Sequence, residues 1–345
     1  MSSANHLEVS RRSSPSIVVT RTPLRVSFAG GGTDLADFYE RDYGAVLSTT
    51  IDKYIFVTVK RHHELFNEPI RINYSSTELV DTLDHIKNNI AREALRLLKI
   101  DPPIYISTVG DVPASTGLAS SSSFAVGLLN ALHAYRGERV SPGQLAEEAT
   151  RIEIDVLKEP IGKQDQYAAA FGGLNFFRFN PGGAVTVEPV RVGNRFLEDL
   201  FDHILMFWTG VQRDASSVLT EQRRNIPDKM ATLKTMRDHA HQLLDLAGTR
   251  KFDPVAFGRI LDESWQLKRQ LASTMSTREI DRYYDLARKA GAEGGKICGA
   301  GNGGFLLFIV QPGKQTAVRQ ALASLREVPI RFEVHGSRVL LPFEQ

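Results

Sequence analysis

Residues 113–135 constrain this chain most. A Gly/Ser-rich loop, Pro113-Ala-Ser-Thr-Gly117-Leu118-Ala-Ser120-Ser121-Ser122-Ser123, runs straight into a helical stretch, Phe124 to Tyr135, that has no polar face. Phe124, Val126, Leu128, Leu129, Leu132 and Ala134 cover all sides of the axis. A helix apolar all round must be buried, so the fold needs layers on more than one side of it. Ile104–Val112, just before the loop, reads as a strand. The four serines stand at the helix N-terminus, where free N–H groups and the helix dipole favour an anion. Gly117 allows close approach of backbone to a ligand. A polar linker with a helix cap is the alternative, and the burial of the helix favours binding.

Composition narrows the class. The 345 residues carry 42 Lys and Arg against 40 Asp and Glu, with 42% apolar and 24% charged residues. This is the balance of a globular chain, long enough for two domains. Cys298 is the only cysteine, which excludes a disulfide framework and a cysteine zinc cluster and fits a reducing cytoplasm. No apolar run reaches the ~20 residues that span a bilayer. Residues 1–16 lack the apolar core of a secretory signal and read as a disordered tail. The near-neutral balance gives no sign of nucleic-acid binding. Oligomeric state stays open, a homodimer included.

Periodicity places a strand over Ile17–Ala29, bent at Pro23. Two strands, Ala45–Ile51 and Tyr54–Arg61, are expected to join through a tight turn at Asp52-Lys53. Helical spacing covers His85–Ile100. Another helix opens at Ser141, with Pro142 first and Gln144 completing a capping box. Phe171–Val190 reads as hairpin strands. A boundary near Gly193–Asp202 divides the chain into 17–199 and 200–345. Beyond it come a short strand at Leu205–Thr209, helices over Gln212–Leu246 and Pro254–Leu271, and a helix from a Ser276/Glu279 capping box to Ala290. The chain closes with Lys296–Ala300, Phe305–Val310, a helix at Gln315–Leu325 and strands near Ile330–Val334 and Arg338–Leu341. Strands and helices in irregular order make this an α+β fold.

Two more glycine loops stand out. Gly299-Ala-Gly301-Asn-Gly303-Gly304 contains GxGxxG, but the apolar run Phe305–Val310 that follows reads as a strand. A dinucleotide site needs a helix there. A tight bend between strands, or close packing against another glycine loop, explains it better. Gly30-Gly31-Gly32-Thr33-Asp34 follows an apolar strand that contains Arg25, where an unpaired charge would be costly. Glu153 shares a helical face with Ala146, Ala149 and Val156, so it is either paired or coordinating. Asp165, in Gly162-Lys163-Gln164-Asp165-Gln-Tyr, is partly buried or caps a helix. His239/His241 and His62/His63 diverge and make poor metal pairs. Ser, Gly, Glu and Asp remain, an inventory suited to magnesium-dependent phosphoryl transfer.

Three motifs in order, Pro23-Leu-Arg25 through Thr33-Asp34, Pro113–Ser123 and Gly299–Gly304, resemble those of the GHMP kinases, small-molecule kinases that include galactokinase, homoserine kinase and mevalonate kinase. The resemblance spans residues 17–341. It implies an N-terminal domain like domain 2 of ribosomal protein S5 and a ferredoxin-like C-terminal domain. It implies ATP held by Pro113, Gly117, Leu118 and Ser120–Ser123, and Mg2+ held by Ser121 and Glu153. Asp165 would be the base, or would orient the acceptor hydroxyl, with Arg25 beside it. Gly31, Gly32, Thr33, Asp34, Gln164, Gly301 and Gly303 would line the acceptor site. Galactokinases carry Glu-His where this chain has Gly31-Gly32. The Gly-Gly-Gly-Thr-Asp form, Gly-Lys-Gln-Asp-Gln-Tyr and Glu263-Ser-Trp265-Gln-Leu-Lys268 look most like kinases that phosphorylate the anomeric hydroxyl of a heptose 7-phosphate for surface polysaccharide. L-fucokinase domains are near relatives, and a binding-only relative is the alternative of another class. A phosphorylated acceptor needs further cations, for which Lys163, Arg213 and Lys268 are candidates.

Overall fold

The structure, a computed structural model, describes residues 16–212, 216–249 and 251–341. Arg213 and the expected tail, apart from Ser16, lie outside these residues. Strand β1 (Ile17–Ala29) pairs antiparallel with β2 (Gly44–Arg61), and α1 (Ala36–Tyr39) lies in the connection. β2 is one 18-residue strand where the sequence predicts two. Leu24 lies opposite Ile51 and Pro23 opposite Tyr54. Asp52 and Lys53 therefore bulge from the ladder without turning the chain. Pro23, which has no N–H to donate, falls at this irregularity.

The first half continues with β3 (Ile70–Asn73), β4 (Thr77–Val80), α2 (Asn89–Leu97), β5 (Ile104–Gly110), α3 (Ser120–Tyr135), α4 (Pro142–Thr150), α5 (Gln164–Phe171), β6 (Leu174–Phe179), β7 (Val185–Pro189) and α6 (Asn194–Asp202). The second half adds β8 (Ile204–Trp208), α7 (Ser216–Ala247), α8 (Pro254–Lys268), α9 (Arg278–Lys289), β9 (Ala292–Ile297), β10 (Phe305–Val310), α10 (Gln315–Ala321), β11 (Arg326–Glu327) and β12 (Arg338–Leu341). One sheet runs β12-β1-β2-β5-β3-β4, and β6 and β7 branch from β2. The other runs β11-β8-β10-β9, all antiparallel. Counted within that sheet the order is 4-1-3-2, the ferredoxin-like arrangement the resemblance implied. A single cut at residue 200 does not separate the sheets, because β12 crosses back to pair with β1.

Three local expectations shift. Helix α2 starts at Asn89, because the Asn88 side chain caps it by accepting from the Ala91 N–H. Thr277, not Ser276, caps α9, and the Ser276 hydroxyl turns to Asp281. Residues 330–334 contribute only a bridge from Phe332 to Ile51.

Helix α3 is the pivot of the first core. It packs on β1 and β2 on one side and on α2, α4 and α5 on the other, which accounts for its apolar circumference. Strand β10 links the cores. Phe305, Leu307 and Ile309 join the cluster built on α3, while Leu306, Phe308 and Val310 join that of α7–α9. A strand with both faces covered must be apolar at every position, because successive side chains point to opposite faces.

Candidate active site

Two cavities meet at Asp165. The larger, about 780 Å³, runs from the 87–90 segment past the N-terminus of α3 to the 299–303 loop. The smaller, about 70 Å³, lies between the 31–34 turn, the start of α5 and the ends of α8 and β9. Arg25 and Asp165 line both. Arg25 Nε donates to Asp165 Oδ1 at 2.7 Å and Nη2 to Oδ2 at 2.8 Å, while Nη1 donates to the Gly117 carbonyl at 2.8 Å. This resolves the buried charge in β1. One guanidinium holds a carboxylate in bidentate fashion and ties it to the serine loop.

Helix α3 begins at Ser120, four residues earlier than periodicity suggests, so the serines form its first turn. Ser120, Ser121 and Ser122 line the larger cavity. Ser123 does not, since it is buried and donates to the Pro23 carbonyl at 2.9 Å. Leu118 is buried in the core. Pro113 is exposed, and its carbonyl accepts from Thr116. Neither side chain lines the cleft. A Cβ on Gly117 would stand 2.4 Å from the Cys298 carbonyl oxygen, and one on Gly299 would stand 2.4 Å from the Gly117 Cα. The two glycine loops touch backbone to backbone, as the packing alternative required.

Glu153 is fully buried at the floor of the cleft. Residues 151–156 form a π-helical turn, with the Leu157 N–H reaching the Ile152 carbonyl at 2.9 Å. The wider turn keeps Glu153 inside but swings Val156 out to solvent, so the predicted shared face with Val156 does not form. Glu153 accepts from the Ser121 hydroxyl at 2.5 Å and the Gln166 amide at 2.6 Å. Burial pushes its carboxyl up to about 7, with the charge of Asp165 adding to the effect and the hydrogen bonds opposing it.

The smaller cavity gathers Asp34, Gln164, Gly31, Gly32 and Lys268. Asp34 accepts from the Gly32 N–H at 2.9 Å and the Gln164 amide at 3.0 Å. Burial first, and the nearby Asp165 second, raise its pKa. Thr33 braces the turn, donating to the Gly30 carbonyl at 2.8 Å, and does not face the cavity. Gly301 and Gly303 line the larger cavity and not the smaller one. Lys163 also turns away, donating to the Gly183 carbonyl at 2.6 Å and lying over the Tyr39 ring. Lys268 reaches the pocket and donates to the Gly299 carbonyl.

Ser27, Gln222 and Lys296 line the same pocket and escaped the sequence reading. A Cβ on Gly32 would come 2.3 Å from the Gln222 amide, so this glutamine fills space beside the Gly31-Gly32 pair. Lys296 stands in β9, Ala-Glu-Gly-Gly-Lys-Ile, where Glu293 and two glycines leave no apolar run to mark it as Arg25 is marked in β1. Gln222 and Ser27 carry no mark in the sequence either.

Residues 84–173 match the family model described as GHMP kinases N terminal domain, and residues 245–327 match GHMP kinases C terminal. A D-glycero-alpha-D-manno-heptose 7-phosphate kinase of Campylobacter jejuni is 31% identical over 314 residues, covering 88% of this chain and 92% of the relative. The chain belongs to the GHMP kinases. This GHMP kinase is also 25% identical to a galactokinase of Pyrococcus furiosus, over 91% and 94% of the two chains. A solved structure named as a D-glycero-D-manno-heptose 1-phosphate kinase from Bacteroides thetaiotaomicron superposes with a TM-score of 0.78 at 25% identity, covering 95% of this chain and all of the other. As a kinase of this family it takes ATP as phosphoryl donor. Among the described residues no helix is long and apolar enough to cross a membrane.

Proposed function

We propose that this kinase transfers the γ-phosphoryl group of ATP to the anomeric hydroxyl of D-glycero-D-manno-heptose 7-phosphate, giving the 1,7-bisphosphate. The observation that carries this reading is the place of Asp165, on the wall shared by a long cleft and a small polar pocket. A donor phosphate in the first and an acceptor hydroxyl in the second would meet beside it. Arg25 takes up one lone pair on each Asp165 oxygen, which leaves the others for the acceptor proton. Asp34 and Gln164 suit sugar hydroxyls, and Gly31, where an added Cβ would meet nothing closer than 3.8 Å, leaves room that a side chain would fill.

ATP would lie along the larger cleft with its phosphates on the first turn of α3, whose dipole supplies roughly half a positive charge. The Ser121 hydroxyl and the Glu153 carboxylate fit Mg2+. Both are hard oxygen ligands, and the carboxylate, raised to about 7 by burial and by the charge of Asp165, would gain from a cation beside it. Among the described residues no three His, Cys, Asp or Glu side chains form a cage, so phosphate oxygens and water would complete the shell. The ion would neutralise phosphate charge as it developed.

The test is magnesium-dependent ADP release with D-glycero-D-manno-heptose 7-phosphate, L-fucose, galactose, mannose and mevalonate. Strong selectivity for the heptose phosphate is expected. Turnover confined to an unphosphorylated sugar would overturn the substrate, and nucleotide binding without ADP release from any acceptor would leave a binding protein.

A further inference from the structure

Phosphoryl transfer at Asp165 makes no use of two buried ammonium groups in the smaller pocket. Lys268 and Lys296 are 7% and 6% exposed. They come from α8 and β9 and reach the 299–304 loop and β1 respectively. Lys296 donates to the Ser27 carbonyl at 2.6 Å and to the Phe28 carbonyl at 3.2 Å, and Lys268 donates to Gly299. An ammonium has three donors, so three N–H bonds remain for a ligand. The Ser27 hydroxyl, buried and lining the same pocket, has no partner.

The charge does not balance. Arg25, Lys268 and Lys296 face two carboxylates, Asp34 and Asp165, and Arg25 already occupies the second. Burial, and then the charge of Arg25, lower Lys268 to about 8. Burial, and then Lys268, lower Lys296 to about 7. An anion in the pocket relieves this repulsion, and a neutral hydroxyl cannot. The donor's phosphates have their own cradle at α3, on a cavity that neither lysine lines.

We infer that Lys268, Lys296 and Ser27 form an anion subsite for a phosphoester carried by the acceptor. The substrate class is therefore sugar phosphates and not free sugars. This rests on the proposed placement of the acceptor in the smaller pocket.

The test measures binding to the full chain without nucleotide, using D-mannose 6-phosphate and D-mannose as probes. The wild type should bind the phosphorylated sugar at least about tenfold more tightly at pH 7. That preference should fall toward pH 9.5 as the ammoniums lose their protons. Arg25, Asp34, Asp165 and the Cys298 thiol also face these lysines, so Lys268→Met and Lys296→Met isolate the lysine-dependent part. Both variants should lose the preference and melt no lower than wild type, since each replaces a buried charge by an apolar chain. If either fails to fold, Ser27→Ala should still cost several-fold in affinity for the phosphorylated sugar alone. Equal affinity of the wild type for both sugars overturns the subsite, as does a preference that survives all these substitutions. So does weaker ATP binding with the sugar-phosphate preference intact, which would give the lysines to the donor. A wild type that prefers mannose 6-phosphate yet fails to phosphorylate the heptose refutes the proposed substrate and leaves the subsite standing.

Discussion

Asp165 is held by two parallel bonds from a guanidinium that is itself anchored to the Gly117 carbonyl. Its orientation is thus fixed before any substrate arrives. Asp165→Asn keeps the shape but removes the charge, and kcat should fall by about 10²–10⁴ with unchanged circular dichroism. Near-normal turnover would remove Asp165 from the chemistry. Glu153 makes a different prediction. Its folded pKa, about 7, lies above its ordinary 4.5, so the native state binds the extra proton between those values. Stability is fullest below about pH 4.5 and is lost as pH rises through 7. Glu153→Gln should therefore melt higher than wild type at pH 8, by on the order of 1–3 kcal/mol, without magnesium or nucleotide. The Gln166 Oε1 atom, now without a partner, can accept from the new amide after a flip. Magnesium with an ATP analogue should then stabilise the wild type and not the variant, as melting curves would show. Arg25 was legible because a charge in an apolar strand demands a partner. Lys296 carries no such mark, because β9 also holds Glu293 and two glycines, and Ser27 is one serine among many until the fold brings it to the pocket.

At the scale of elements, the contact between the 113–123 and 299–304 loops carries the site. Gly117 sits at φ +82°, against the Cys298 carbonyl. Gly117→Ala would strain the backbone and push the loops apart. Thermal melting should show a loss of several degrees, and the KM for ATP should rise more than kcat falls. The first loop was legible as a serine run around Gly117 and the second as a glycine cluster, and α3 was legible from its apolar circumference. The π-helical turn at 151–156 was not, because nothing in Arg-Ile-Glu-Ile-Asp-Val distinguishes a wide turn from an ordinary one. The single long β2 was missed for a related reason. Asp52-Lys53 has the composition of a turn, and only pairing with β1 on both sides of it, at Ile51 and at Tyr54, keeps the strand running through.

Taken as a whole, the molecule assembles one site from both sheets. Arg25, Ile161, Asp165, Leu219, Gly299 and Ala300 line both cavities, so a ligand that settles these walls from one side settles them for the other. A non-hydrolysable ATP analogue with magnesium should lower the acceptor's Kd at least about fivefold, and the acceptor should tighten the analogue by the same factor. Calorimetry with and without the second ligand measures both halves of the cycle. The order of strands in each half was beyond the sequence, since it depends on which edges meet and not on what each strand contains. Strand β12 is the plainest case. It lies in register with β1, Leu341 opposite Val19, so the first and last described strands are neighbours in space. A short linker would join the one to the other. A circularly permuted gene, opened at the exposed segment around Leu65, would then encode the same two sheets and the same pockets.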